Sequence, residues 1–170
     1  MTISIAGKSV ALGAIVAAVG GLVGIVATFL VWAQLTVGAG MVSVFGNPDN
    51  GIGLDERAGK VALGLGIIAL LLAIAWALEV KIPMLPALVA GVGVLILVVV
   101  ALTFFTTLLS KDHSLKDALD LANQAIDSMK ALGTDTSGTS AGPGIGFLLE
   151  IGAGVLVIVG GGLGLMKKSA

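Results

Sequence analysis

Polar and apolar positions in this chain separate into long blocks rather than alternating at short range. Residues 10–32, 58–78, 85–109 and 144–166 are apolar over nearly their whole length. A helix rises 1.5 Å per residue, so crossing a hydrocarbon layer about 30 Å thick takes roughly 20 apolar residues. All four blocks meet that length. Lys60 lies close enough to the end of the second to reach the interface with its ammonium. The first block is longer than the roughly 7–15 residues of a signal-peptide core. It is therefore expected to remain as an anchor, although Lys8 and the small residues Val37-Gly38-Ala39 mimic a signal's ends.

The segments between the blocks have patterns of their own. In 33–57, two β-like runs, Ala33–Val37 and 41–45, flank Gly38-Ala39-Gly40, which is read as a three-residue hairpin turn. The turn cluster Gly46-Asn47-Pro48-Asp49-Asn50-Gly51 follows. In 110–143, Leu115, Leu119, Ala122, Ile126 and Met129 step by four and three, the spacing of one helical face. Ser114 with Asp117 resembles a capping box, and Gly133 stands where a helix stop is expected. Residues 134–144, rich in Gly, Ser and Thr, read as a linker. Between the second and third blocks, Glu79-Val80-Lys81-Ile82-Pro83 forms a short turn, with Pro83 and Pro86 suited to the first turn of a helix.

The predicted fold is an all-α membrane protein. It is a four-transmembrane-helix bundle with a short extracytoplasmic β-hairpin loop and an extracytoplasmic amphipathic helix, and residues 1–170 form a single four-span membrane domain. Lys8, Lys81, Lys167 and Lys168 lie in short segments, against Arg57, Lys60, Lys111, Lys116 and Lys130 in the long loops. That density places both termini in the cytoplasm, in a multi-pass protein of the plasma (cytoplasmic) membrane. Trp32 and Trp76 are expected to anchor at opposite interfaces.

Composition strengthens this picture and removes several functions. Hydrophobic residues make up 57% of the chain and charged residues 11%, where soluble chains average roughly 45–50% and about 25%. The net charge of −1 provides no basic surface for nucleic acid. With no cysteine there is no disulfide, thiolate nucleophile or sulfur metal site. His113 is the sole histidine, too little for a metal centre or a catalytic triad. Asn47, Asp49, Asp55 and Glu56 do not match an EF-hand, because Gly51 and Ile52 occupy positions that require other residues. Gly51-Ile52-Gly53 lacks the third glycine of a nucleotide loop. Lys167-Lys168 has the form of a dilysine signal, but cytoplasmic anchoring alone produces such a pair. The expectation is a protein with no catalytic residues and no cofactor or metal.

Two constellations stand out. Glu150 is an acid inside the fourth block, where a charge costs on the order of 2–3 kcal/mol, so it is expected to face protein or water. Its readings are a proton or cation site, a partner for a basic group on another subunit, or a carboxylate that snorkels or bonds a threonine. Arg57 and Lys60 are the nearest cations in the chain to pair with it.

The second constellation is the small residues four apart, which let helix backbones approach. They are Gly13, Ala17 and Gly21, Gly20 and Gly24, Ala62 and Gly66, Ala69, Ala73 and Ala77, Ala87 and Gly91, and Gly160 and Gly164. Gly160-Gly161-Gly162 marks a mobile inner end or a subunit contact.

Two long outer loops and a short inner turn resemble the tetraspan plan of claudin-like proteins. The tryptophan, glycine-leucine and paired-cysteine signature is missing, so no claudin function is implied. Trp32 and Asn47-Pro48-Asp49-Asn50-Gly51-Ile52-Gly53 are similar to features of small four-span membrane proteins of Gram-positive bacteria. That resemblance implies location rather than activity.

The function expected is a non-catalytic accessory or assembly subunit, in contact with the lipid bilayer and with other membrane proteins or copies of itself. Leu115, Leu119, Ala122, Ile126 and Met129 are the candidate docking face; it could cover its own bundle, lie on the membrane or dock on a partner, and its acidic polar face favours packing on the chain's own 33–57 hairpin or on a partner protein. The alternative is a small oligomeric transporter or channel that uses Glu150.

Overall fold

A computed structural model describes residues 2–5, 8–37, 40–43, 57–80, 82, 84–109 and 114–166. The elements run β1 (Thr2–Ile5), β2 (Lys8–Ala11), α1 (Leu12–Ala27), β3 (Ala33–Val37), β4 (Gly40–Ser43), α2 (Arg57–Ala77), α3 (Leu85–Phe105), α4 (Leu115–Ala131), β5 (Ser140–Pro143) and α5 (Ile145–Met166). Helix predominates. By length and composition α2, α3 and α5 can each cross a membrane, and α1 is a shorter apolar helix, an arrangement compatible with a multi-pass membrane protein.

The expected first span is helical over only part of its length. Lys8–Ala11 pairs antiparallel with Thr2–Ile5, so Val10 and Ala11 belong to a strand. At the other end the Thr28 hydroxyl donates to Ile25 O at 2.7 Å and the Trp32 indole N–H to Ala27 O at 3.0 Å. These bonds turn the chain off the helix axis. The 16 residues of α1 rise about 24 Å, short of a full hydrocarbon thickness. The third helix likewise ends at Phe105 rather than running on to Leu109. Thr106 takes an extended conformation there, and its hydroxyl donates to Leu102 O at 2.6 Å.

The four apolar helices pack antiparallel, with α5 between α1 and α3, and α2 against both α1 and α3. Their core is inverted relative to a water-soluble protein. Every buried residue of α1 and of α2 is Gly or Ala, for example Ala17 and Gly20 on α1 or Ala62 and Gly66 on α2. Large aliphatic side chains such as Leu22, Val26, Leu71, Leu95 and Val155 point outward. Small inward residues let backbones touch, and dispersion then holds helices that the hydrophobic effect does not drive together in lipid. A β-carbon added to Gly160 would lie 2.6 Å from Gly13 O and 2.7 Å from Ala17 N, and one on Gly21 would lie 2.8 Å from Leu70 N. The bulk that fills the interior comes from α3, which buries Val89, Val92, Ile96, Val99 and Val100.

Not every small residue serves this packing. Gly91 is exposed with open space around it, so Ala87 and Gly91 form no tight face here. Gly162 is also open, whereas Gly160 and Gly161 are buried. Gly164 lies under the Trp76 ring, and a β-carbon there would also lie 2.7 Å from Pro86 Cβ.

At the end of the bundle where α1 exits, β3 pairs antiparallel with both β4 and β5, giving the order β4-β3-β5. Two expectations change. Gly40 pairs with Val37 as part of β4 instead of belonging to the turn, and Ser140–Pro143 is a strand instead of linker. The ladder continues into Gly144 N to Trp32 O at 2.7 Å and Gly146 N to Val31 O at 2.9 Å, which fastens the start of α5 to the exit of α1.

The amphipathic helix lies at this end. Ser114 caps it, accepting from Asp117 N at 3.1 Å and donating to Asp117 Oδ2 at 2.6 Å. Gly133, at φ +80, closes it with the paired bonds Thr134 N to Met129 O and Gly133 N to Lys130 O, both 3.0 Å. On its exposed side Lys116 and Asp120 pair at 2.8 Å, and that bond holds the ammonium above its ordinary range.

Candidate functional site

Glu150 occupies the second turn of α5, about 7–8 Å along the axis from Ile145 by helical rise. Its neighbours on the helix explain the setting. Phe147, one turn earlier, belongs to an apolar cluster with Trp32, Ala62, Val100, Leu115 and Leu119. Val157, two turns later, belongs to a second cluster with Ala17, Ala69, Val89 and Ile96. The carboxyl lies in the seam between the two.

Its side chain is 0% exposed, and neither oxygen has a hydrogen-bond partner among the described residues. On α1 the position opposite is Gly24, where an added β-carbon would lie 3.5 Å from Oε1 and 3.9 Å from Oε2. An alanine methyl there would meet the carboxyl at ordinary van der Waals distance. Gly20, one turn earlier on α1, meets Ala153 and Val157 in the same antiparallel register.

The expected partners of Glu150 are not there. Arg57 and Lys60 are both exposed, and neither bonds to it. Within this chain the carboxyl is fully buried. The buried threonines do not donate to it either. Thr28 gives its hydroxyl proton to Ile25 O and Thr103 gives its own to Val99 O, each at 2.7 Å.

Trp32 is buried rather than interfacial. It is 3% exposed and meets the Phe147 ring edge-on at 6.1 Å, and Phe147 in turn lies 5.7 Å from Phe104. Trp76 packs over Gly13 and Gly164 at the opposite end of the bundle.

The docking face read from α4 is partly used by the chain itself. Leu115 and Leu119 are buried in the Trp32 cluster, and Ala122 and Ile126 are half-buried. Met129 is exposed, as are Leu121 and Leu132, which lie off that face.

Among the described residues no group of three or more His, Cys, Asp or Glu could hold a metal ion. The turn cluster 46–51, with Asn47 and Asp49, lies outside the described residues, as do Gly53, Asp55, Glu56, Lys81, Pro83, Lys111, His113 and 167–170.

Sequence reasoning paired Gly24 with Gly20 and did not connect it to Glu150. Nor did it assign Trp32 and Phe147 to one cluster. No protein-family model matches the chain, and no curated protein matches it.

Proposed function

We propose that this chain is a four-span integral protein of the plasma (cytoplasmic) membrane and a non-catalytic accessory or assembly subunit of a larger membrane complex. In this reading α1, α2, α3 and α5 are the spans, the termini are cytoplasmic, and the β3–β4–β5 sheet with α4 faces outward. The observation that supports it is the inverted core. Gly and Ala backbones close the interior against one another while large apolar side chains cover the outside. Such a bundle is built to present surface to lipid and to other membrane helices rather than to enclose a path. The exposed Leu121 and Met129 on α4, and Leu132 just past its end, offer apolar contact to a partner above the membrane.

Purification in a mild detergent followed by mass spectrometry tests this. Stoichiometric partner proteins are expected, and a single species overturns the subunit reading.

The unpaired carboxyl of Glu150 favours a second reading, an oligomeric transporter or channel in which Glu150 lines the path. In that case Glu150→Gln abolishes ion flux in liposomes while assembly persists. Absence of flux in the wild type removes the second reading.

A further inference from the structure

We propose that Glu150 is a proton-binding site, a carboxyl held as the neutral acid within the seam of α1 and α5. The inference stands apart from the accessory-subunit reading, because a single purified species leaves it untouched.

The argument rests on donors and acceptors. An ionised carboxylate only accepts, whereas a protonated carboxyl also donates. The donors within the core are already committed. Thr28 and Thr103 donate to their own helices, the Trp32 indole to Ala27 O, and Ser114 to Asp117. Each threonine oxygen and each helix carbonyl keeps a lone pair that can accept. With those donors committed, nothing among the described residues donates to the carboxyl, as an ionised carboxylate would require.

Charge points the same way. The helices packed against Glu150 carry no counter-ion: α1 and α3 have no ionisable residue, α5 has Glu150 alone, and Arg57 and Lys60 of α2 are exposed. An unpaired charge buried this way is strongly disfavoured.

The test uses the full chain in lipid nanodiscs with glutamate labelled with carbon-13 at its side-chain carboxyl. The sequence has three glutamates, Glu56, Glu79 and Glu150, so three resonances are expected. One of them should stay at the protonated-acid position at neutral pH and be missing from Glu150→Gln. If that variant does not fold, the wild-type titration decides alone, since a stationary acid resonance needs no assignment to be seen. A spectrum with no resonance at the protonated-acid position at neutral pH overturns the proposal. So does a stationary signal that survives in a folded Glu150→Gln protein.

Discussion

The indole N–H of Trp32 donates to the carbonyl of Ala27 at 3.0 Å, closing the last turn of α1 from within the core. A tryptophan at the end of an apolar run ordinarily suggests an interfacial anchor. Here the ring turns inward and sets its edge against Phe147 on α5.

Trp32→Phe should therefore retain most of the packing but lose the bond, at a cost of about 1 kcal/mol. Trp32→Ala removes the ring as well and should cost about 3–5 kcal/mol. Reversible unfolding in mixed micelles measures both. A Trp32→Ala protein as stable as the wild type would contradict a buried role.

Glycines in the same helix should differ sharply in their tolerance of a methyl group. Gly160→Ala places a carbon against the backbone of Gly13 and Ala17 and should cost about 1–3 kcal/mol through forced displacement. Gly152→Ala, with nothing within 4 Å, should be neutral or slightly stabilising because alanine is the better helix former. Parallel unfolding of the two variants is decisive, and equal effects would show that α1 and α5 do not meet at this register.

Glu79 ends α2 in the left-handed conformation, φ 56. Val80 N bonds Ala75 O and Glu79 N bonds Trp76 O, both at 3.0 Å, the paired pattern that usually carries glycine. Glu79→Gly should stabilise the protein by up to about 1 kcal/mol by relieving that conformation, whereas Glu79→Val should destabilise it. The same unfolding assay separates the two signs.

Ser114→Ala removes the cap of α4 and should cost about 1 kcal/mol. Hydrogen exchange should show faster exchange at the Asp117 amide and its neighbours while α2 and α3 remain unchanged. Uniform acceleration across all helices would mean that the cap supports the whole fold rather than α4.

What the sequence disclosed followed from solvent contrast. The α4 helix alternates between water and core, so its period, its Ser114 cap and its Gly133 stop were all legible. The apolar blocks gave the extent of α2 and α5 to within a residue or two. Hydrophobicity is blind to direction when both faces are apolar, however. It did not show that Trp32 turns inward or that Val10 and Ala11 are strand. Ser140–Pro143 has no alternating pattern, and it becomes a strand only because β3 offers it an edge. For Glu150, depth was readable from position, but the lack of a partner depends on where threonine hydroxyls point.

The place of α5 between α1 and α3 has a consequence for how the molecule is made. The β5 strand that fastens its entry pairs with β3, far back in the chain. Closure is thus a long-range event, and loop-closure entropy makes such events slow. During synthesis the glycine faces of α1 and the aliphatic ridge of α3 must wait without a mate until the last helix arrives. A ribosome that stalls before Ser140 therefore leaves an open three-helix assembly, with the sites for the final helix still exposed to other helices in the membrane.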